Sequence, residues 1–306
     1  MGRRPHDVTT PRLCLVLLTS LLLARAVGLA SAASRTLTWL FPTNTAAIGF
    51  YPFYAARDLG FWREEGLEVE FKGAGGSGAA IQLLIAGHVD AGIPSMPATL
   101  NALSKGQKLR AFYQYSTGTI FYLKVPKESP VHSVRDLRGK MIGISEPGGG
   151  EVPMVKASLK GAGLEPDKDV RLIPIGEGSP ATFEAIKSGK VHAYASNLTD
   201  TLSVELAGIP LRDITPPEFD AFPAQMMLTT PEHLKQHREA LISLARGVAK
   251  GTYWCQNKPT QREALVRHAA AEQWADPRLG RVVLERSLKI TAPLPEWRFG
   301  ELLTEK

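Results

Sequence analysis

Cysteine is almost absent from this chain: Cys14 and Cys255 are the two in 306 residues. Cys14 lies in an apolar stretch near the N-terminus, so a single thiol remains for the folded part and no internal disulfide is expected there. Stability must come from packed apolar surface. Cys255 sits in a helical pattern with no His or Asp within a turn on either side, which argues against a catalytic thiol of the Cys–His kind. Histidine is scarce as well. The seven are scattered, and none stands at the spacing of metal ligands, so neither a metal nor a cofactor is expected. Basic runs are also missing. The chain carries 36 Lys and Arg against 30 Asp and Glu, a formal net charge of +6. Four of those Arg (Arg3, Arg4, Arg12 and Arg25) and Asp7 fall in the first 32 residues, which leaves +3 for the remainder. No stripe of charge suited to phosphates results, which excludes nucleic acid as a partner. Gly73–Gly78 is glycine-rich but lacks the lysine of a phosphate-binding loop. Beyond the N-terminal stretch no apolar run approaches the length of a membrane span.

What is present begins with a segment outside the fold. Arg3, Arg4 and Arg12 precede the apolar run Leu13–Leu23, and Ala30, Ser31 and Ala32 offer small residues for cleavage. That order predicts a secretory signal over 1–32. The apolar run is too short to span a bilayer as a stable helix. An uncleaved anchor is the rival reading, and Arg25, which interrupts the apolar stretch, favours the signal. The mature chain is expected to begin at Ala33, outside the cytoplasm.

Helix and strand patterns then alternate. Leu37–Phe41 reads as a strand and Tyr51–Leu59 as a helix closed by Gly60. Leu67–Phe71 (LEVEF) alternates as a strand. Ala79–Ala86 and Pro97–Ser104 read as helices closed by Gly87 and Gly106, with strands at Val89–Ile93 and Leu109–Tyr115. This β-α-β-α-β-α-β order predicts a parallel sheet with helices on both faces. The pattern restarts at Ile120–Val125. It continues through strands Met141–Ile144, Val170–Pro174 and Val191–Ala195, and helices Val152–Lys160, Pro180–Lys187 and Leu198–Leu206. Residues 79–93 (AAIQLLIAGHVDAGI) and 181–195 (ATFEAIKSGKVHAYA) share one helix–glycine–strand unit. Two lobes of one design, or convergent α/β punctuation, would each produce it. The remainder reads as helices Pro231–Gln236, Glu239–Asn257, Gln261–Ala275 and Leu279–Ile290, punctuated by Pro259, Pro277 and Pro295. They are expected to fold back on the first lobe.

Four segments carry a family resemblance: FYAARDLGFWREEGLEVEF (53–71), GGSGAAIQLLIAGHVDAGI (75–93), VRDLRGKMIGIS (134–145) and GAGLEPDKDVRLIPIG (161–176). In that order they resemble the substrate-binding proteins of ABC transporters for nitrate, sulfonates, taurine and thiamine-type pyrimidines. The likeness runs from about 37 to 250. It implies an α/β architecture, the two-lobed type II periplasmic-binding-protein fold with a C-terminal helical segment, its lobes joined by two crossing strands. The expected organisation is a signal over 1–32, lobe 1 over 33–115, lobe 2 over 116–227 and a helical return to lobe 1 over 228–306. Hinge rotation is expected near 115–119 and 222–230. The resemblance further implies a periplasmic or other extracytoplasmic monomer that binds a small molecule and is read by a membrane permease. A pyrimidine-synthesising enzyme shares the fold, but its hallmark is a cysteine-rich segment that this chain lacks. A ligand-sensing module for a membrane partner is the other alternative.

In open α/β sheets ligands sit beyond the carboxyl ends of the strands, where helices begin. Seven loops fall there: Thr43–Phe53, Gly75–Ala79, Pro94–Thr99, Tyr115–Thr119, Ser145–Glu151, Gly176–Thr182 and Ser196–Thr201. None contains Lys or Arg, and together they hold Glu146, Glu151, Glu177 and Asp200. Tyr51, Phe53 and Tyr115 are candidates to stack on a ligand ring. Gly76, Ser77 and Gly78 would present backbone N–H groups. Ser95, Met96, Thr117, Gly149 and Ser179 would line the walls. Glu146, Glu151, Asn197 and Asp200 would accept ligand N–H groups. Each has a plainer alternative: Tyr51 and Phe53 as the buried face of a helix, Ser77, Asn197 and the acidic residues as helix caps. The chemistry favours an aromatic or amino-bearing heterocycle, or an amine, over a small oxyanion.

Overall fold

The computed structural model describes Gly2, residues 35–221 and residues 223–291. The expected signal over 1–32 lies outside the described residues apart from Gly2, as does Pro295.

The first part of the chain supplies strands β1 (Arg35–Phe41), β2 (Leu67–Gly73), β3 (Ala91–Gly92) and β4 (Arg110–Ser116). Between them lie helices α1 (Tyr51–Asp58), α2 (Phe61–Glu64), α3 (Gly76–Ile85) and α4 (Met96–Ser104). The chain then crosses to a second sheet. That sheet is built from β5 (Phe121–Pro126), β6 (Met141–Ile144), β7 (Arg171–Pro174), β8 (Ala193–Asn197) and β9 (Leu211–Asp213), with α5 (Glu151–Gly161), α6 (Pro180–Lys187) and α7 (Leu198–Leu206). It crosses back into β10 (Gln225–Thr229) and ends in α8 (Pro231–Asn257), α9 (Pro259–Ala269) and α10 (Pro277–Ile290). Strand order is β2-β1-β3-β10-β4 in the first sheet and β7-β6-β8-β5-β9 in the second.

The burial pattern explains the strand sequences. In β1, Leu37, Trp39 and Phe41 enter one core and Leu40 the other. A strand covered on both faces reads as a continuous apolar run rather than an alternation. In β2, Leu67, Val69 and Phe71 pack inward while Glu68 and Glu70 face out, as suits an edge strand. The large core lies between the first sheet and helices α1, α8, α9 and α10. Phe53 stacks on Trp39 with ring centroids 4.8 Å apart, and Phe50 meets Phe41 at 4.6 Å. Such pairs add about 0.5–1.5 kcal/mol each beyond area burial. The indole N–H of Trp62 donates to Leu244 O at 2.9 Å and ties α2 to α8. Cys255 is buried in this core, which pushes its thiol up to about 12. Such a thiol is inert at neutral pH.

Several elements differ from the sequence expectation. The first sheet is mixed: β10 enters antiparallel between β3 and β4. Its partner in the other crossing, β5, runs antiparallel to β8. The strand expected over Val89–Ile93 is the two residues of β3, and β9 was not anticipated. Helix α3 starts at Gly76 rather than Ala79. The two helices expected over Pro231–Gln236 and Glu239–Asn257 do meet at a break, where His237 has non-helical torsions (φ −129°, ψ 26°) inside α8. Helix α9 stops at Ala269, because Ala270 leaves helical torsions (φ −119°, ψ 48°).

Candidate ligand-binding seam

The loops after β2, β3, β6, β7 and β8 meet in one seam between the sheets. Its closest contact is at the start of α3. Gly76 adopts φ +86°, and a Cβ there would lie 2.3 Å from Glu146 Oε1 and 2.8 Å from Gly148 O. The Gly78 N–H donates to Gly148 O at 3.3 Å. The 145–151 loop of the second lobe therefore rests on the N-terminus of α3. The partial positive charge of that helix end favours both the carbonyl and the carboxylate of Glu146. Gly150 is pressed against the first lobe: a Cβ there would lie 2.5 Å from Ser95 Oγ and 3.0 Å from Ser77 Oγ.

The first lobe contributes hydroxyls. Ser77 Oγ accepts from Ser95 N at 3.1 Å. Ser95 Oγ, in a residue 1% exposed, and Ser116 Oγ, in a residue 2% exposed, have no hydrogen-bond partner. Gln225 pairs with both residues through the backbone, and its side-chain amide donates to Ile93 O at 3.3 Å. Ser116 and Gln225 fall in the two stretches expected to act as hinges, 115–119 and 222–230, and neither is in the candidate set.

The second lobe contributes carboxylates. Glu151, 2% exposed, accepts from Ser145 N at 2.9 Å and from Ser145 Oγ. Burial pushes its carboxyl above the ordinary range against the pull of those bonds, and Glu146 adds to the rise. Asp200, 7% exposed, accepts from Ser196 Oγ at 2.5 Å and from Asn197 Nδ2 at 2.8 Å. Burial pushes it up to about 7. Ser196 and Asn197 oppose the rise, and Glu177 and Glu151 add to it. Glu177 is also raised, by desolvation and by Glu146. Ser145 and Ser196 were legible as strand ends but not chosen.

The seam brings together Gly76, Ser77, Gly78, Ser95, Glu146, Gly149, Glu151, Asn197 and Asp200 from the candidate set. Asn197 also caps α7 through Asp200 N at 3.1 Å. Ser179 is occupied as the cap of α6, in a reciprocal box with Thr182. Met96 lines a groove of about 910 Å³ between α4 and α5, together with Leu100, Phe121, Gly149 and Val152; the four carboxylates are not among its lining residues. Three aromatic residues need correction. Tyr51 is fully buried and its hydroxyl bonds Thr291. Phe53 is fully buried in the Trp39 stack, and Tyr115 donates to Gly49 O from the same core. The helix that carries Tyr51 and Phe53 turns this face to α8, so none of the three presents a ring to the seam. Thr117 is likewise taken up, with its N–H and hydroxyl both on Ile290 O. Among the described residues no cluster of His, Cys, Asp and Glu has the arrangement of a metal site.

Comparison with known proteins adds a lineage. Bicarbonate-binding protein CmpA of Synechococcus elongatus is 20% identical over 258 residues, which cover 72% of this chain and 56% of that protein. The chain thus spans about half the length of the curated relative it matches. A solved structure from Bordetella bronchiseptica superposes with a TM-score of 0.70 at 22% identity, covering 87% of this chain and 86% of that one. The alkanesulfonate-binding protein SsuA from Xanthomonas axonopodis, bound to MOPS, gives 0.63 at 17% identity and 84% coverage of both chains. The nitrate-binding protein NrtA from Synechocystis gives 0.59 at 14% identity, covering 82% and 69%. These likenesses establish the two-lobed periplasmic-binding fold. Residues 47–262 match the family described as NMT1/THI5 like, and the chain belongs to that family.

Proposed function

We propose that this chain is an extracytoplasmic solute-binding protein that captures a small molecule in the seam between its lobes and delivers it to an ABC permease in the membrane. It acts as a monomer and releases its ligand unchanged. Three features support the reading. Relatives of the same fold are named for binding bicarbonate, alkanesulfonate and nitrate. The N-terminus has the order of a secretory signal. Among the described residues no helix is long and apolar enough to cross a membrane.

The ligand class differs from those of the named relatives. The observation that carries it is the gathering of Glu146, Glu151, Glu177 and Asp200 at strand ends whose loops hold no Lys or Arg. Carboxylates accept N–H bonds. An oxyanion would be opposed by roughly 1 kcal/mol for each charge about 4 Å away in water, and by more once desolvated. With the aromatic residues in the core, stacking is not what selects the ligand, and the N–H donors of an amine or amino-bearing heterocycle are. A calorimetric screen of amines, aminopyrimidines, nitrate, taurine and alkylsulfonates tests this. Binding is expected among the first two classes. Tight binding of nitrate or a sulfonate, with the amines silent, overturns the class and leaves the receptor reading standing.

A further inference from the structure

We propose that His233 and His237 form a clasp that holds the first turns of α8 to the start of the first sheet at neutral pH and releases them in acid. The clasp goes beyond the receptor reading and is independent of the ligand.

Three stretches of the chain meet here. Arg35 opens β1, Asp90 directly precedes β3, and His233 and His237 lie about one turn apart on α8. The two imidazole rings have their centroids 4.3 Å apart. A guanidinium N–H of Arg35 donates to His237 Nδ1. Guanidinium has no lone pair to offer, so this bond exists only while Nδ1 carries no proton. On the other side, His233 Nε2 is buried and has no hydrogen-bond partner, and it lies 3.4 Å from Asp90 Oδ1. Asp90 is itself fixed: its Oδ2 accepts from Thr38 N at 2.6 Å, and its backbone carbonyl accepts from the Thr229 hydroxyl at 2.7 Å. Thr230 caps α8 by accepting from His233 N at 3.2 Å. The cluster therefore fastens the point where the crossing strand β10 turns into α8.

With both rings neutral, the cluster holds one cation, Arg35, and one anion, Asp90. Protonating both rings would set three cations against one carboxylate and remove the acceptor that Arg35 uses. Desolvation is the largest influence on His233 and holds its imidazole below the ordinary value; Asp90 pulls it up, and His237 and Arg35 push it further down. Arg238, the next residue along α8, is paired with Glu239. A histidine held low contributes its full share to the closed clasp above its free value of about 6.5, and that share is lost as pH falls below it. The place for movement is already built in. His237 departs from helical torsions (φ −129°, ψ 26°), so residues 231–236 can leave the sheet without unwinding the rest of α8. Such an opening is local, so hydrogen exchange rather than the melting of the whole chain reads it.

The test is hydrogen exchange of the full chain, read by mass spectrometry at pH 7.5 and pH 5.5 and corrected for the intrinsic exchange rate. Protection of residues 35–38 and 230–238 is expected to fall about tenfold or more in acid, while that of β5 (Phe121–Pro126) does not follow it. Glutamine can still accept a hydrogen bond but does not titrate, so the double variant His233→Gln, His237→Gln should keep the same protection at both pH values. Unchanged protection in the unaltered chain overturns the proposal, and so does an equal fall in the double variant. A proton NMR titration of the unaltered chain gives a second reading that needs no variant to fold. The His233 ring is expected to titrate below the ordinary histidine value, and titration at or above that value overturns the clasp.

Discussion

Tyr51 and Asp200 show how differently two polar groups behave when buried. The Tyr51 hydroxyl satisfies itself against Thr291 inside the large core. Tyr51→Phe should therefore cost about 1 kcal/mol of stability and leave ligand affinity unchanged; denaturant titration beside calorimetry reads both. Asp200 instead holds a carboxyl pushed up to about 7 from an ordinary value near 3.8. The folded state binds its proton more tightly than the unfolded chain does. In the ligand-free protein its contribution to stability therefore rises as pH falls from about 7 towards 4, by on the order of 4 kcal/mol. Carboxyls held low pull the other way, but only in more acid solution; Asp136, bonded by the amide of His132, is one. Ligand-free protein should melt at a higher temperature at pH 5.5 than at pH 8, and Asp200→Asn should flatten the difference. The helical spacing around Tyr51 and Phe53 was readable in the sequence. Which way that helix faces was not, because the apolar surface it covers is completed by α8, some 190 residues later. The positions of the acidic residues were legible for a local reason: each follows a strand end and precedes or begins a helix.

Helix α3 meets the second lobe at Gly76 and Gly78. Gly76→Ala would force a Cβ to within 2.3 Å of Glu146 Oε1 and place alanine at φ +86°, a backbone cost of roughly 1–2 kcal/mol. Gly87→Ala is the control, since Gly87 has φ +72° and nothing within 4 Å of its Cβ position. Gly87→Ala should lose stability alone. Gly76→Ala should lose stability and at least tenfold in affinity, with a larger radius of gyration in small-angle scattering when ligand is present. Glycine-closed helices and the alternating LEVEF strand were legible because their signals lie within a few residues. The strands β9 and β10 were not. Leu211–Asp213 is three residues long, and Gln225–Thr229 shows no apolar alternation. What makes each a strand is a partner elsewhere in the chain: β5 for β9, and β3 and β4 for β10.

Across the whole molecule, the two sheets differ in how the chain completes them. All five strands of the second sheet lie in one continuous stretch, from Phe121 to Asp213. The first sheet has a gap between β3 and β4 that only β10, at Gln225–Thr229, fills. A chain made from its N-terminus thus releases the whole of its second sheet before the first has the strand that joins β3 to β4. The order of appearance is the reverse of the order of folding, with residues 35–116 waiting, edges unpaired, for a segment more than a hundred residues away. Expressed alone, residues 118–221 should show a cooperative thermal transition by circular dichroism, and residues 35–116 should not until 223–291 is supplied in trans. For the cell, this interval is a hazard: the half-built first sheet is the part that needs shielding from aggregation.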